Sequence, residues 1–292
     1  MDPNVLVIHG PRPPEAPALP IVLDSPHSGF RMPADFGAVA SVQELRDGED
    51  AFIDELYLPA AKMGIPLLTA QFPRTYIDVN RHTADIDPAL MAEPWPNKTL
   101  DSGKAKIGKA LVWRTLVNGK PIYDRKLAVA EVMGRIERYH QPYHDALWEL
   151  MANAHTRFGV VYHINCHSMG PTTTLDMEGV EGEARPDFIL GDRDGTTCEP
   201  AFTNYIGKFL QGLGYTVVLN KPFKGVELVR AFSDPSSGRH SLQIEINKRL
   251  YMDPATIQKH DGFAKLQGQL MQLMHVLGER FGYAQTMIRP RR

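Results

Sequence analysis

The chain has few cysteines, no marked charge bias, no long apolar run and no internal repeat, and each shortage removes a class of protein. Cys166 and Cys198 are the only 2 cysteines in 292 residues. That is too few for a disulfide framework or a thiolate zinc site, so a reducing compartment, the cytoplasm, is expected. Acids and bases nearly balance at a formal net charge of -2, which gives no field suited to gripping a phosphate backbone or an anionic membrane. Nucleic acid and membranes are therefore not expected partners. No stretch is apolar for long enough to span a bilayer. The first residues carry Asp2 and early prolines (Pro3, Pro11, Pro13, Pro14, Pro17), and lack the basic region and apolar stretch of a secretory signal. What remains is a balanced chain slightly above the size at which single cores stop growing, which fits one large α/β domain or one domain with a small appendage.

Residues 1–19 read as an extended lead-in, because the prolines of GPRPPEAPALP exclude helix and supply no backbone donors. Residues 20–292 read as a single domain. IVLDSP predicts a strand, HSG a turn, and the periodic stretch from about Asp50 to Met63, stopped at Gly64, a helix; IPLLTAQF predicts the next strand. From 126 to 157 the apolar positions Leu127, Val132, Ile136, Tyr139, Tyr143, Leu147 and Met151 predict a long amphipathic helix kinked at Pro142. VVYHIN, DFILGD, TVVLN and LQIEI predict strands, PAFTNYIGKFLQGLG a helix, and roughly 255–281 a final helix. Strands alternating with helices predict an α/β fold with a mixed, mostly parallel sheet covered on both faces, and ligands bound beyond the strands' carboxyl ends.

His27 and His167 each sit where an apolar run meets a turn, in IVLDSPHSG and VVYHINCHSMG. Catalytic zinc commonly takes three protein ligands from histidines and carboxylates and leaves one position for water. Two strand-end histidines supply two. The third could be Asp50 or Glu49, opening the helix after the first strand, or Asp24 just before His27; Asp50 is the first choice. The bland alternative is that each histidine merely caps a turn or hydrogen-bonds locally. Cys166 beside His167 invites a thiol-nucleophile reading, but adjacent residues on a strand point to opposite faces.

Glu245 lies between Ile244 and Ile246, so in a strand it projects opposite to its apolar neighbours. Beside an activated water it would serve as general base; alternatively it pairs with Arg230 or Lys248, or faces solvent. FPRTYIDVNR offers Arg74, Asn80 and Arg81 in a short span. The planar fork of arginine suits bidentate carboxylate binding, with an Asn amide as a further donor. Asp78 and Asp85 could instead neutralise those arginines.

Taken in order, PHSG, the D-x-x-x-D-x-L-Y pattern of Asp50, Asp54, Leu56 and Tyr57, RTYIDVNR, NCHSM, FKG with Arg230 after it, and QIEIN with LYM resemble the N-formylglutamate amidohydrolase family from about residue 20 to 252. The resemblance implies a three-layer α/β/α sandwich similar to zinc carboxypeptidases and the aspartoacylase group. It implies one Zn2+ ion held by His27, Asp50 and His167, Glu245 as general base, and an Asn80–Arg81 pair holding the substrate carboxylate with Arg74 and Arg230 as helpers. The implied reaction is hydrolysis of N-formyl-L-glutamate to formate and L-glutamate, with histidine degradation as the setting. Two departures stand out. The carboxypeptidase pattern places a Glu three residues after its first His, where this chain has Phe30, so a more distant carboxylate must replace it. After FKG the chain has Val226 and Glu227 where the family often shows Gly and an aromatic. The rivals are a related zinc hydrolase of another N-acyl amino acid or small peptide, and a non-catalytic amino-acid-binding protein.

Overall fold

The computed structural model describes residues 2–15, 17–174 and 181–282. Residues 1, 16, 175–180 and 283–292, which the sequence reading assigned to the lead-in and the main domain, lie outside the described residues. In chain order the elements are β1 (Leu6–His9), β2 (Ile21–Ser25), α1 (Val42–Leu45), α2 (Ile53–Tyr57), β3 (Leu67–Ala70), α3 (Val129–Arg135), α4 (Gln141–Phe158), β4 (Val161–Met169), β5 (Phe188–Gly191), α5 (Pro200–Gly212), β6 (Val217–Leu219), α6 (Glu227–Ala231), β7 (Arg239–Asn247), a short hairpin of β8 (Met252–Asp253) and β9 (Gln258–Lys259), and α7 (Gly262–Leu277). The first seven strands form one sheet in the order β1-β3-β2-β4-β7-β5-β6. β2, β4 and β7 run parallel, and β5 pairs antiparallel to β7 and parallel to β6. This is the mixed α/β sheet that the alternating pattern predicts.

The chain divides into two compact units. One comprises Met1–Val7, Pro26–Asp50 and Thr69–Ala146; the other comprises Ile8–Ser25, Ala51–Leu68 and Leu147–Arg292. The first is loop-rich and is organised around Arg135, fully buried, which donates to the Tyr76 and Phe36 carbonyls and the Tyr123 hydroxyl, with Glu131 as its counter-charge. The second holds a sheet with two unlike faces. Tyr162, Ile164 and Cys166 of β4 share one face with Ile21 and Leu23 of β2 and with Leu242, Ile244 and Ile246 of β7, and this face packs with Ile53 and Leu56 of α2, Phe202 and Ile206 of α5, and Leu266 and Leu270 of α7. Burying each such aliphatic side chain contributes about 1.5–3 kcal/mol. The opposite face is polar although buried: Asp24, then His163, Asn165 and His167, then Ser241, Gln243 and Glu245.

Several sequence expectations are corrected. Ordered structure begins at β1, within the stretch read as an extended lead-in: Leu6, Val7 and Ile8 have the branched, apolar character that strands favour. The helix expected from Asp50 to Met63 is α-helical only over Ile53–Tyr57 and continues as a 3-10 turn over Leu58–Met63, because Pro59 cannot donate to the ladder. The helix expected over 126–157 is α3 and α4 joined by a π turn, Ile136–His140. Pro142 offers no N–H to the Arg138 carbonyl, and a wider turn absorbs that missing bond. Residues 255–261 are not helical: the Asp253 side chain accepts from Ala255 N at 2.9 Å and from the Thr256 hydroxyl at 3.0 Å, and Ile257 turns at φ 53°. β4 runs beyond the apolar VVYHIN to Met169, since β7 pairs with it as far as Met169↔Asn247.

Candidate active site

The polar face supplies two of the expected residues. His167 and Glu245 are register partners on β4 and β7 and therefore stand side by side on one face, both buried. Behind His167 runs a chain of hydrogen bonds. His167 Nε2 donates to Asn165 Oδ1 at 2.7 Å, and Asn165 Nδ2 donates to Asp24 Oδ1 at 2.7 Å. His163 Nε2 donates to the same Asp24 oxygen at 2.8 Å, and the Ser241 hydroxyl meets His163 Nδ1 at 2.6 Å. With the proton held at Nε2 by Asn165, the lone pair of His167 is on Nδ1, where a metal could take it. Gln243 Nε2 donates to Glu245 Oε1 at 2.9 Å and fixes that carboxylate.

His27 follows β2 in the HSG turn. Its Nε2 donates to Asp78 Oδ1 at 2.8 Å, and its Nδ1 lies 3.4 Å from Asp50 Oδ2. Asp50 is brought there by backbone: its N–H donates to the His27 carbonyl at 2.9 Å, and the Ser28 hydroxyl donates to the Asp50 carbonyl at 3.1 Å. Asp78 is fully buried. Burial opposes its charge, but Arg74, then His27 and Arg81, outweigh that and hold the carboxyl well below the usual carboxylate range. A charged acceptor at Nε2 is the arrangement that orients and strengthens a metal-binding imidazole.

The structure brings His27, Asp50 and His167 together, all buried, with one potential ligand atom from each within 4.8 Å of the others. Bonds of about 2.0–2.1 Å in a tetrahedron put ligand atoms about 3.4 Å apart. The His27–Asp50 separation is 3.4 Å. Two imidazoles with backed Nε2 atoms and one carboxylate are a donor set of the kind that holds a divalent metal with a position left for water. The other carboxylates considered are engaged elsewhere: Glu49 forms a two-point pair with Arg46 at 2.7 and 3.1 Å, and Asp24 anchors His163 and Asn165.

Arg74 pairs with Asp78 at 2.7 Å, as the neutralising alternative foresaw, while Arg81 Nη2 stands 4.0 Å from it. Arg81 donates to the Lys109 and Asn80 carbonyls at 3.2 and 3.1 Å. Its buried guanidinium is pushed down by burial, with Asp78 opposing and Arg74 adding to the effect. Asn80 N donates to Asp78 Oδ1 at 2.9 Å, so the Asn80–Arg81 segment and His27 share one carboxylate. Arg230 is half exposed and pairs with Glu227 at 2.7 Å within α6. Cys166 lies in the apolar core, where burial pushes its thiol well above the usual range, so it has no nucleophile character. Sequence reasoning missed Asn165, Gln243 and the link from Asp78 to His27. The alternation of β4 and β7 could have flagged the first two, since each lies two residues from a candidate on the same face.

A sequence model of the N-formylglutamate amidohydrolase family matches residues 19–252. The N-formylglutamate deformylase of Pseudomonas aeruginosa is 31% identical over 240 residues, 80% of this chain and 83% of that one. The N-formylglutamate deformylase of Pseudomonas putida is 29% identical over 240 residues, 80% and 82% of the two chains. Among solved structures, the N-formylglutamate amidohydrolase of Ralstonia eutropha superposes with a TM-score of 0.90 at 45% identity, covering 95% of this chain and 98% of the other.

Proposed function

Because the chain belongs to the N-formylglutamate amidohydrolase family, whose relatives are hydrolases acting on an amide, we propose that it cleaves N-formyl-L-glutamate to formate and L-glutamate with one zinc ion held by His27, Asp50 and His167. The observation that carries the reading is the buried gathering of these three side chains, with Glu245 at the register position beside His167. Zinc, when bound, lowers the pKa of water and polarises a carbonyl. Asp78 and Asn165 keep the two imidazoles in the tautomer that presents Nδ1.

Glu245, oriented by Gln243, takes the proton of the water that attacks the formyl carbon. It then delivers that proton to the departing amine nitrogen as the C–N bond breaks. Asn80 and Arg81 hold a carboxylate of the glutamate moiety, so binding energy remote from the amide positions the reacting carbon. Arg74 acts indirectly by compensating Asp78, and Arg230, which pairs with Glu227 within α6, is the outer helper.

The test is formate release from N-formyl-L-glutamate by the purified protein, as isolated, after chelation and after zinc is restored. Activity lost to chelator and regained with zinc supports both substrate and metal. No formate from the zinc-loaded protein sinks the substrate assignment, and a panel of other N-acyl amino acids then decides between a sister hydrolase and a binding protein.

A further inference from the structure

We propose that the stacked pair His140–His144 is a positioning device for the Asn80–Arg81 clamp, fixing the backbone on either side of Asn80. The proposal rests on the reading of Asn80 and Arg81 as the groups that hold a substrate carboxylate.

The segment from Asp78 to Arg81 is a turn in neither helix nor strand, so its backbone groups must be satisfied one by one. Asp78 Oδ1 accepts from Asn80 N at 2.9 Å. His144 Nε2 donates to the Val79 carbonyl at 2.8 Å, the Arg81 guanidinium to the Asn80 carbonyl at 3.1 Å, and His140 Nε2 to the Arg81 carbonyl at 2.8 Å. The two histidines thus bracket the Asn80–Arg81 pair, one on the peptide that enters Asn80 and one on the peptide that leaves Arg81.

Their rings stack at 4.1 Å between centroids and 17° between planes, so neither donor swings without displacing the other ring. His140 ends the π turn Ile136–His140, and His144 lies one turn further along α4. Such turns recur at functional sites because they re-aim side chains. Burial, and then His144, push His140 down to about 3. The imidazole is therefore neutral at physiological pH and adds no positive charge beside Arg81. A stiff donor pair with a neutral His140 suits a clamp that must stay charged and in place, since small displacements of a positioning group are costly to catalysis.

The experiment is steady-state kinetics of zinc-loaded enzyme on N-formyl-L-glutamate, with metal content and Tm measured for each variant. His140→Phe keeps the ring volume and the stack but removes the donor; His140→Gln keeps an amide N–H near the position of Nε2. Loss of one hydrogen bond to the clamp raises KM about tenfold in His140→Phe while kcat stays within about twofold and zinc content is unchanged. His140→Gln restores most of the lost affinity. Because His140 acts through the Asn80–Arg81 backbone, His140→Phe raises KM by a smaller factor in the Arg81→Ala background than in the wild type. An unchanged KM in His140→Phe, a fall in Tm with KM kept, or effects that multiply in the double variant would overturn the proposal. If Arg81→Ala alone leaves KM unchanged, the clamp reading fails and the proposal falls with it, an outcome visible without any histidine variant. Should His140→Phe not fold, His144→Phe carries the same KM test through the Val79 carbonyl.

Discussion

Asp78 serves both the expected metal ligand and the expected clamp: one oxygen accepts from His27 Nε2 and Asn80 N, and the other from Arg74. In the sequence it stands between Arg74 and Arg81 and reads only as a neutraliser of arginines. Its role toward His27 depends on a partner 51 residues away, which local spacing cannot reveal. Asp78→Asn preserves shape but removes the charge behind the imidazole; zinc affinity should fall about 10–100-fold, measured by competition with a chromophoric chelator. Wild-type affinity in that variant would reduce Asp78 to a structural group. Glu245→Gln separates chemistry from binding. It should lower kcat by about 10²–10⁴-fold while zinc content and KM stay close to wild type, and retained turnover would remove Glu245 as the base. The place of Glu245 on the polar face beside His167 was legible because alternation in QIEIN puts it opposite two isoleucines. Gln243, which donates to it, is legible only through the same alternation, because a glutamine on a strand carries no signal of its own.

The elements show why some boundaries were legible and others were not. Strand cores are announced by apolar runs, yet β4 extends into the polar NCHSM because β7 pairs with it there, and a pairing partner is not written in the strand itself. The same holds for the π turn at Ile136–His140: apolar spacing reports a helical face but not which carbonyls go without a partner ahead of Pro142. The glycine of PHSG is a clearer case. A Cβ on Gly29 would lie 2.3 Å from the Gln71 carbonyl carbon and 2.5 Å from the Ala70 oxygen, so the turn carrying His27 presses directly on the backbone at the end of β3. Arg31 N, donating to the Gln71 carbonyl at 2.8 Å, holds it there. Gly29→Ala must push the turn away, at about 1–3 kcal/mol for overpacking. Tm should drop by roughly 2–4 °C per kcal/mol, and zinc affinity should fall because His27 moves with the turn. A wild-type Tm and affinity would show that the backbone yields without disturbing the site.

At the scale of the whole molecule, the three candidate ligands come from separate segments of the chain: the turn after β2, the loop leading into α2, and β4. Sequence nominated the two histidines because both mark the end of an apolar run, and put Asp50 ahead of Glu49 and Asp24; the folded chain gathers Asp50 with both histidines. Placing a buried carboxylate against two imidazoles carries a desolvation cost that a divalent cation offsets, so the metal should act as a cross-link that stabilises the fold as well as the reaction. A ligand that binds only the native state at a thousandfold its Kd adds about 4 kcal/mol. Zinc added to chelated protein at that excess should therefore raise Tm by roughly 8–16 °C. His167→Ala removes one of the three ligands without touching the His27–Asp50 backbone link, so it should lose most of that shift while the metal-free Tm changes far less. If zinc leaves the wild-type Tm unmoved, these side chains do not hold zinc in solution and the zinc assignment falls.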